Sequence, residues 1–397
     1  MTDFETTRLR FHLPEGMIYL DGNSLGPLPK TASERAAQMI RDEWGELLIR
    51  GWNQAGWMDM PVRLGNRIAQ LIGADEGSVV VGDTLSIKVY QALASAIDMR
   101  PDRKRVLSDS GNFPTDLYMA EGLLTSLGRG HELAIVDPEE VMEAIGPDVA
   151  VVMLTHVDYR TGRMHDMEAV TRKAQAAGAV VIWDLAHSAG AMQLAVAASH
   201  AEFAVGCTYK YLNGGPGAPA FIHVRPDIQD AVRPALSGWL GHAAPFDFEP
   251  SYRAGNGIAR MRVGTPPVIQ MAVLDAALDA WDGVDMAALR QRSVELCDTF
   301  ISEVESRCPE LELASPRQAY QRGSQVSFRS ENGYAIMQAL IAEDVIGDFR
   351  APDIMRFGFT PLYVGIEDVV RAAEILESVI RHRKWDRPQF MRKAAVT

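Results

Sequence analysis

The sequence predicts an α/β protein in which a largely parallel sheet is covered by helices on both faces, followed by a smaller α+β lobe. Three observations carry this expectation. Between Ser78 and Cys207, short apolar runs alternate with segments of helix length. Those runs are near-continuously apolar, as strands buried on both faces are, and do not alternate with polar residues. After Gly283 fewer strands are set among longer helices, which reads as a second, smaller layer. A chain of 397 residues is long enough to enclose one large core and a lesser one.

Residues 1–30 open irregularly, and YLDGNSLGPLP at 19–29 is dense in turn formers. Its Asn23, Ser24 and Gly26 either join two elements or approach a ligand closely, and composition alone favours the first. Thr31 is the expected N-cap of a helix from Ala32 to about Arg50, with Glu34 at the capping-box position. GWNQAGWMDMP (51–61) is either an aromatic-lined loop or the cover of a helix junction, and a helix over 62–72 follows. Strands are then expected at 78–83, 105–109, 131–137, 148–157, 179–183 and 203–207, with another after the glycine-rich turn beyond Lys210. Helices are expected at 84–99, within 111–124, near 139–145 and from Met167 to Ala177, the last capped by Asp166. A Thr-Pro-Pro turn leads into a long apolar helix within 261–281. The second lobe holds helices at 284–307, 332–344 and 366–383, a strand at 325–329, and the segment 344–364. The division is therefore 1–50, an N-terminal segment contributing to the small domain; 51–282, the large domain; and 283–397, the small domain.

Composition narrows the function. A net charge of −13 argues against a phosphate-backbone partner, and the basic tail 381–397 reads as a solvated end. No run reaches the ~18 uncharged apolar residues that span a bilayer. The start, MTDFETTRLRF, has no apolar core of a secretory signal, so a cytoplasmic protein is expected. Cys207, Cys297 and Cys308 are too few and wrongly spaced for a disulfide framework or a zinc cluster, so no metal is expected.

In open α/β sheets ligands collect beyond the carboxyl ends of strands. Here those positions are Thr84 to Ser86, Phe113 to Asp116, Thr155, Asp184, and Tyr209 with Lys210. Neither the dinucleotide fingerprint nor the P-loop pattern is present, so any phosphate is held without a P-loop, and the helix start at Thr84–Ser86 can hold one. Asp184 alone reads equally as a helix cap, and His187 alone as structural. Lys210 is harder to dismiss, because a lysine drawn into an apolar site loses basicity and becomes nucleophilic. Asp184, His187 three residues on and Lys210 twenty-six residues on together suit a pyridoxal phosphate (PLP) enzyme of fold type I. Such an enzyme needs a lysine for the Schiff base and an acid for the protonated pyridine nitrogen.

The segments WDLAHSAG and TYKYLN carry a more specific signal. With YLDGNSLGPLP, GWNQAGW, FPTD, THVDYRTG, SGWLGH, VGTPPV and MRFGFTPLY, the chain resembles the kynureninase family over nearly its whole length. The resemblance implies a fold-type I PLP enzyme, related in fold to aspartate aminotransferase, with a large domain built on a mostly parallel seven-stranded sheet. It implies hydrolysis of a carbon–carbon bond in a ketonic substrate: L-kynurenine, with 3-hydroxykynurenine as a second substrate, gives anthranilate or 3-hydroxyanthranilate and L-alanine. That reaction belongs to the kynurenine pathway of tryptophan catabolism, which also feeds NAD biosynthesis. The implied roles are Lys210 for the Schiff base, Asp184 at the pyridine nitrogen and Tyr209 as proton relay. Leu85, Ser86, Phe113, Asp116, Thr155, His187 and Trp239 would surround the cofactor, and Thr265 would reach it from the other subunit of a homodimer. Arg356 would bind the substrate carboxylate, with Ser24, Trp52 and Asn53 on the aryl-ketone side. The competing reading is a cysteine desulfurase or selenocysteine lyase. It needs a nucleophilic cysteine on a loop of the second lobe, and no cysteine follows Cys308.

Overall fold

The computed structural model describes residues 2–393; Met1 of the expected N-terminal segment and 394–397 of the expected solvated end lie outside the described residues. Seven strands form the large sheet: β1 Val79–Val81, β2 Arg105–Asp109, β3 Glu132–Val136, β4 Val149–Thr155, β5 Val180–Asp184, β6 Phe203–Gly206 and β7 Phe221–Val224. Their spatial order is β3-β2-β4-β5-β6-β7-β1. Strands β4, β5, β6 and β7 are buried at every position, which is why their sequences are apolar except at Thr155, Asp184 and His223. Strand β7 departs from the parallel rule and runs antiparallel to both β6 and β1. The connection from β6 holds turns and no helix, and a parallel return would require a helical crossover.

The helices follow the expected order. Those that position the site are α1 Lys30–Gln38, α2 Met60–Ile72, α3 Leu85–Asp98, α4 Pro114–Leu127, α5 Met167–Ala176 and α6 Val268–Leu278. Asp166 caps α5 by accepting from Ala169 N at 2.9 Å. Thr84 caps α3 through Ile87 N. The first helix corrects the sequence reading. It starts at Lys30 behind Pro29, and Thr31 Oγ1 donates to Ala276 O at 3.1 Å on α6 instead of capping. Pro29 already presets the entry conformation, so the hydroxyl is released for tertiary contact. Beyond Gln38 the chain widens into a π-helical stretch, Met39–Leu47, and breaks at Leu48, whose φ is 52°.

The second lobe has helices α7 Met286–Arg307, α8 Gly333–Ile341 and α9 Ile366–Arg381. They lie with an antiparallel sheet of β8 Glu312–Leu313, β9 Gln325–Arg329, β10 Asp348–Arg350 and β11 Ile354–Gly358, in the order β8-β9-β11-β10. Phe300 of α7 fixes this layer, with Phe357 and Phe359 ring centroids at 4.9 and 5.1 Å. Residues 18–20 of the N-terminal segment pair with this lobe. Ile18–Tyr19 pairs in parallel with Val345–Ile346, and Gly358 N donates to Leu20 O at 2.7 Å. No helix among the described residues is long and apolar enough to cross a membrane.

Candidate active site

The site forms where β4, β5 and β6 end. Thr155 and Asp184 are register partners at the ends of β4 and β5, and β6 runs into the Cys207–Lys210 segment. The turn after Lys210 uses left-handed backbone at Asn213, Gly215 and Gly217, with φ of 58°, 86° and 73°, conformations that two of the three can adopt only because they lack a Cβ. This turn folds Lys210 back over the sheet end. Its Nζ lies 2.8 Å from His187 Nε2. An ammonium has no acceptor, so it donates to the imidazole. Burial, reinforced by the Lys210 charge, holds His187 far below its usual range and therefore neutral. Lys210 Nζ also stands 5.9 Å from the centroid of Phe113 and 5.8 Å from that of Tyr209.

Two carboxyls lie beneath. Asp184 Oδ1 accepts from Ala186 N at 2.8 Å, and Asp116, in the first turn of α4, is buried against Asp184. Burial, then the charge of Asp184, pushes Asp116 well above the carboxylate range. Asp184 is raised as well, by burial, with Lys210 opposing. Two carboxyls in one dry site cannot both ionise, and Asp116 keeps the proton. The Tyr209 phenol is pushed up by the adjacent Cys207 thiol and by burial, so it stays protonated across the physiological range.

The structure brings Asp116, Thr155, Asp184, His187, Tyr209, Lys210 and Phe113 together by contact or register. Thr155 Oγ1 donates to Val157 O at 3.3 Å. Leu85 and Ser86 occupy the first turn of α3, where backbone N–H groups have no intrahelical acceptor. Arg356 lies on β11 directly opposite Asp348 of β10, and its Nε donates to Asp348 Oδ1 at 2.6 Å. Ser24 joins this pair, donating to Asp348 Oδ2 at 2.5 Å. The loop that carries Ser24 is pinned from the other side, since Gly26 N donates to Tyr209 O at 2.8 Å. Trp239, Thr265, Trp52 and Asn53 have no recorded contact with this group. Trp239 is 40% exposed with its ring edge-on to Phe246, and Thr265 is exposed in the turn before α6. Trp52 packs edge-on against the buried Trp57 at 5.7 Å, and Asn53 is exposed. Sequence reasoning missed Asp348, Arg350 and Asp21. Reading the turn at 351–353 as a hairpin would have placed Asp348 across from Arg356.

The donor set fits PLP. Asp116 Oδ2 and His187 Nδ1 are buried without a hydrogen-bond partner beside Asp184 and Lys210. Phe113, 40% exposed and in T-shaped contact with Tyr159 at 5.2 Å, sets an aromatic ring near Nζ against which a planar ring can pack. The N-terminus of α3 suits a phosphate.

Comparison with known proteins agrees. The chain is 51% identical over 397 residues to a kynureninase of Pseudomonas fluorescens, covering 98% of this chain and 95% of that protein. This chain belongs to the kynureninase family. A kynureninase of Burkholderia pseudomallei is 50% identical with the same coverage. The family model for the kynureninase C-terminal domain matches residues 289–376, and that of the DegT/DnrJ/EryC1/StrS aminotransferase family matches 131–198. In fold, the chain is similar to an apo cysteine desulfurase of Thermococcus onnurineus NA1, with a TM-score of 0.81, 18% identity, and coverage of 96% and 99% of the two chains. A C-DES variant with glycine linked to its PLP cofactor gives a TM-score of 0.80 at 18% identity, covering 95% and 99%.

Proposed function

We propose that the protein is a PLP-dependent hydrolase that cleaves L-kynurenine, and 3-hydroxykynurenine by the same route, to the corresponding anthranilate and L-alanine. The observation that carries this reading is half-identity to kynureninases over nearly the whole chain, joined to the convergence of Lys210, Asp184 and Tyr209. PLP, when bound, withdraws electrons from the substrate's α and β carbons. Lys210 holds the cofactor, and its Nζ takes and returns the α-proton. Asp184 keeps the proton on the pyridine nitrogen, and the protonated Asp116 supports that carboxylate. Phe113 would lie against the cofactor ring, Leu85 and Ser86 would offer N–H groups to its phosphate, and Thr155 and His187 would contact it from the sheet end. Tyr209 gives a proton to the γ-carbonyl oxygen as water adds, and takes it back when the bond breaks. Arg356 receives the substrate carboxylate, with Ser24 hydrogen-bonded to it at that end instead of on the expected aryl side, where Trp52 and Asn53 are placed.

We further propose a homodimer in which Thr265 reaches the neighbour's site. Exposed apolar side chains at Ile40, Trp44, Leu48 and Ile49 support it. The domain division at 50 and 283, the cytoplasmic location and the place in tryptophan degradation belong to the same reading. A cysteine desulfurase is favoured less. All three cysteines are buried, and burial raises Cys297 to about 11 and Cys308 to about 12, leaving no thiolate. The test is to mix the holoenzyme with L-kynurenine and follow anthranilate fluorescence, with Lys210→Ala as control. Fluorescence lost in the variant supports the reading; alanine released from L-cysteine with no anthranilate from L-kynurenine overturns it.

A further inference from the structure

The Arg356 guanidinium has five N–H donors in a planar fork. Nε donates to Asp348 Oδ1 at 2.6 Å and one Nη2 hydrogen to Asp348 Oδ2. The other Nη2 hydrogen goes to Ser24 Oγ at 2.9 Å, and Nη1 donates to the Tyr159 carbonyl. Four of the five donors are therefore taken, and Asp348 closes one bidentate edge outright. Both partners are buried, with side chains 1% and 3% exposed. Displacing Asp348 would strand a buried carboxylate, so an incoming carboxylate meets Arg356 at a single free hydrogen. A second guanidinium stands beside it. Arg350 Nη2 pairs with Asp348 Oδ2 at 2.7 Å and reaches Ser24 Oγ at 3.3 Å, while Nη1 donates to Phe349 O at 3.0 Å. Its Nε and one Nη1 hydrogen are left over, and its side chain is 33% exposed, so a ligand can reach it.

We propose that Arg350 is a second receptor for the substrate carboxylate beside Arg356, and that Asp21 sets the charge of this receptor. The inference rests on the kynurenine reading above. Two guanidiniums against the single carboxylate of Asp348 leave one surplus positive charge, which matches one substrate carboxylate. The match holds only while Asp21 is neutral. Asp21 Oδ1 is buried without a hydrogen-bond partner. The carboxyl faces Asp348, Arg356, Arg350 and Ser24, and the phenols of Tyr19, Tyr211 and Tyr363. Burial, then the Asp348 charge, raises it to about 8, against the pull of both arginines. At pH 7 it keeps its proton and the surplus charge stands. Above pH 8 it ionises, cancels that charge, and weakens the hold on an anionic substrate.

The experiment measures kcat and KM of the holoenzyme for L-kynurenine from pH 6.5 to 9.5, with the Kd for L-alanine by calorimetry. Arg350→Gln is expected to raise KM and the alanine Kd about 10-fold or more, as loss of a charge-assisted hydrogen bond does, with a smaller fall in kcat. Arg350→Lys, which keeps the charge, recovers part of the loss. In the wild type KM and Kd rise through pH 8; in Asp21→Asn that rise is absent. Unchanged KM and Kd in Arg350→Gln, or an alkaline rise that persists in Asp21→Asn, overturns the inference. If no anthranilate forms at any pH, the functional reading itself fails, which is a separate result.

Discussion

Removing Asp348 tests how the carboxylate end of the site is built. In Asp348→Ala the buried Arg356 loses both hydrogen bonds of its bidentate edge, and Arg350 loses its partner at 2.7 Å. Two guanidiniums then face each other with only the buried Asp21 carboxyl near them, which the loss of the Asp348 charge brings closer to ionising. Breaking a buried pair from one side costs about 3–5 kcal/mol, against a typical total stability of about 5–15 kcal/mol. Arg356→Met is milder, because Asp348 keeps Arg350 and the Ser24 hydroxyl at 2.5 Å; about 2–3 kcal/mol is expected. The double variant Asp348→Ala/Arg356→Met leaves one exposed-edge arginine and an apolar gap. Its cost should fall short of the sum of the single variants by about 2 kcal/mol or more, since contacting charges are not additive. Urea unfolding of the four proteins at pH 7 gives the cycle. Additive costs, or an Arg356→Met variant less stable than Asp348→Ala, would refute the reasoning.

Three other outcomes are expected. Tyr209→Phe retains the cofactor's visible absorbance but loses about 10²–10⁴ in kcat, the usual worth of a positioned proton donor; normal turnover would end the relay assignment. Gly26→Ala disables the enzyme from a distance, because its Cβ would meet Lys210 O and Asn213 Oδ1, so the Schiff-base loop must shift. Unaltered absorbance and rate in that variant would show that the loop yields freely. Asp116 has its folded pKa raised by burial and by Asp184, so its share of stability is full below the ordinary carboxylate range and declines as pH rises toward the raised value. Asp116→Asn does not titrate, and its stability relative to the wild type should therefore improve from pH 5 to pH 8. Parallel stability curves over that range would contradict this sign.

Much of the fold was legible along the chain because the signals are local. Strands buried on both faces must be largely apolar, and β4, β5 and β6 fall within two residues of the runs their sequences mark, 148–157, 179–183 and 203–207. Asp166 caps α5 because an aspartate before an amphipathic run satisfies a free N–H wherever that run lands. Thr31 failed as a cap for the opposite reason. Its hydroxyl answers to Ala276, more than two hundred residues away, and nothing near it in the sequence announces that partner.

The site divides along the same line. The sequence by itself determined the chemistry: a lysine after one buried strand, a carboxylate after its neighbour, and a helix start free to hold a phosphate. These residues lie at strand ends, and the parallel order of β4, β5 and β6 carries them to one place. Only the tertiary structure decided their states. Asp116 keeps a proton because folding buries it against Asp184, and His187 stays neutral because folding buries it and sets it beside Lys210. Arg356 was expected to stand open to substrate, yet β10 lays Asp348 directly across from it. Charge and protonation depend on what is packed within a few ångströms, and that is fixed by strand pairing and loop closure between residues distant in sequence.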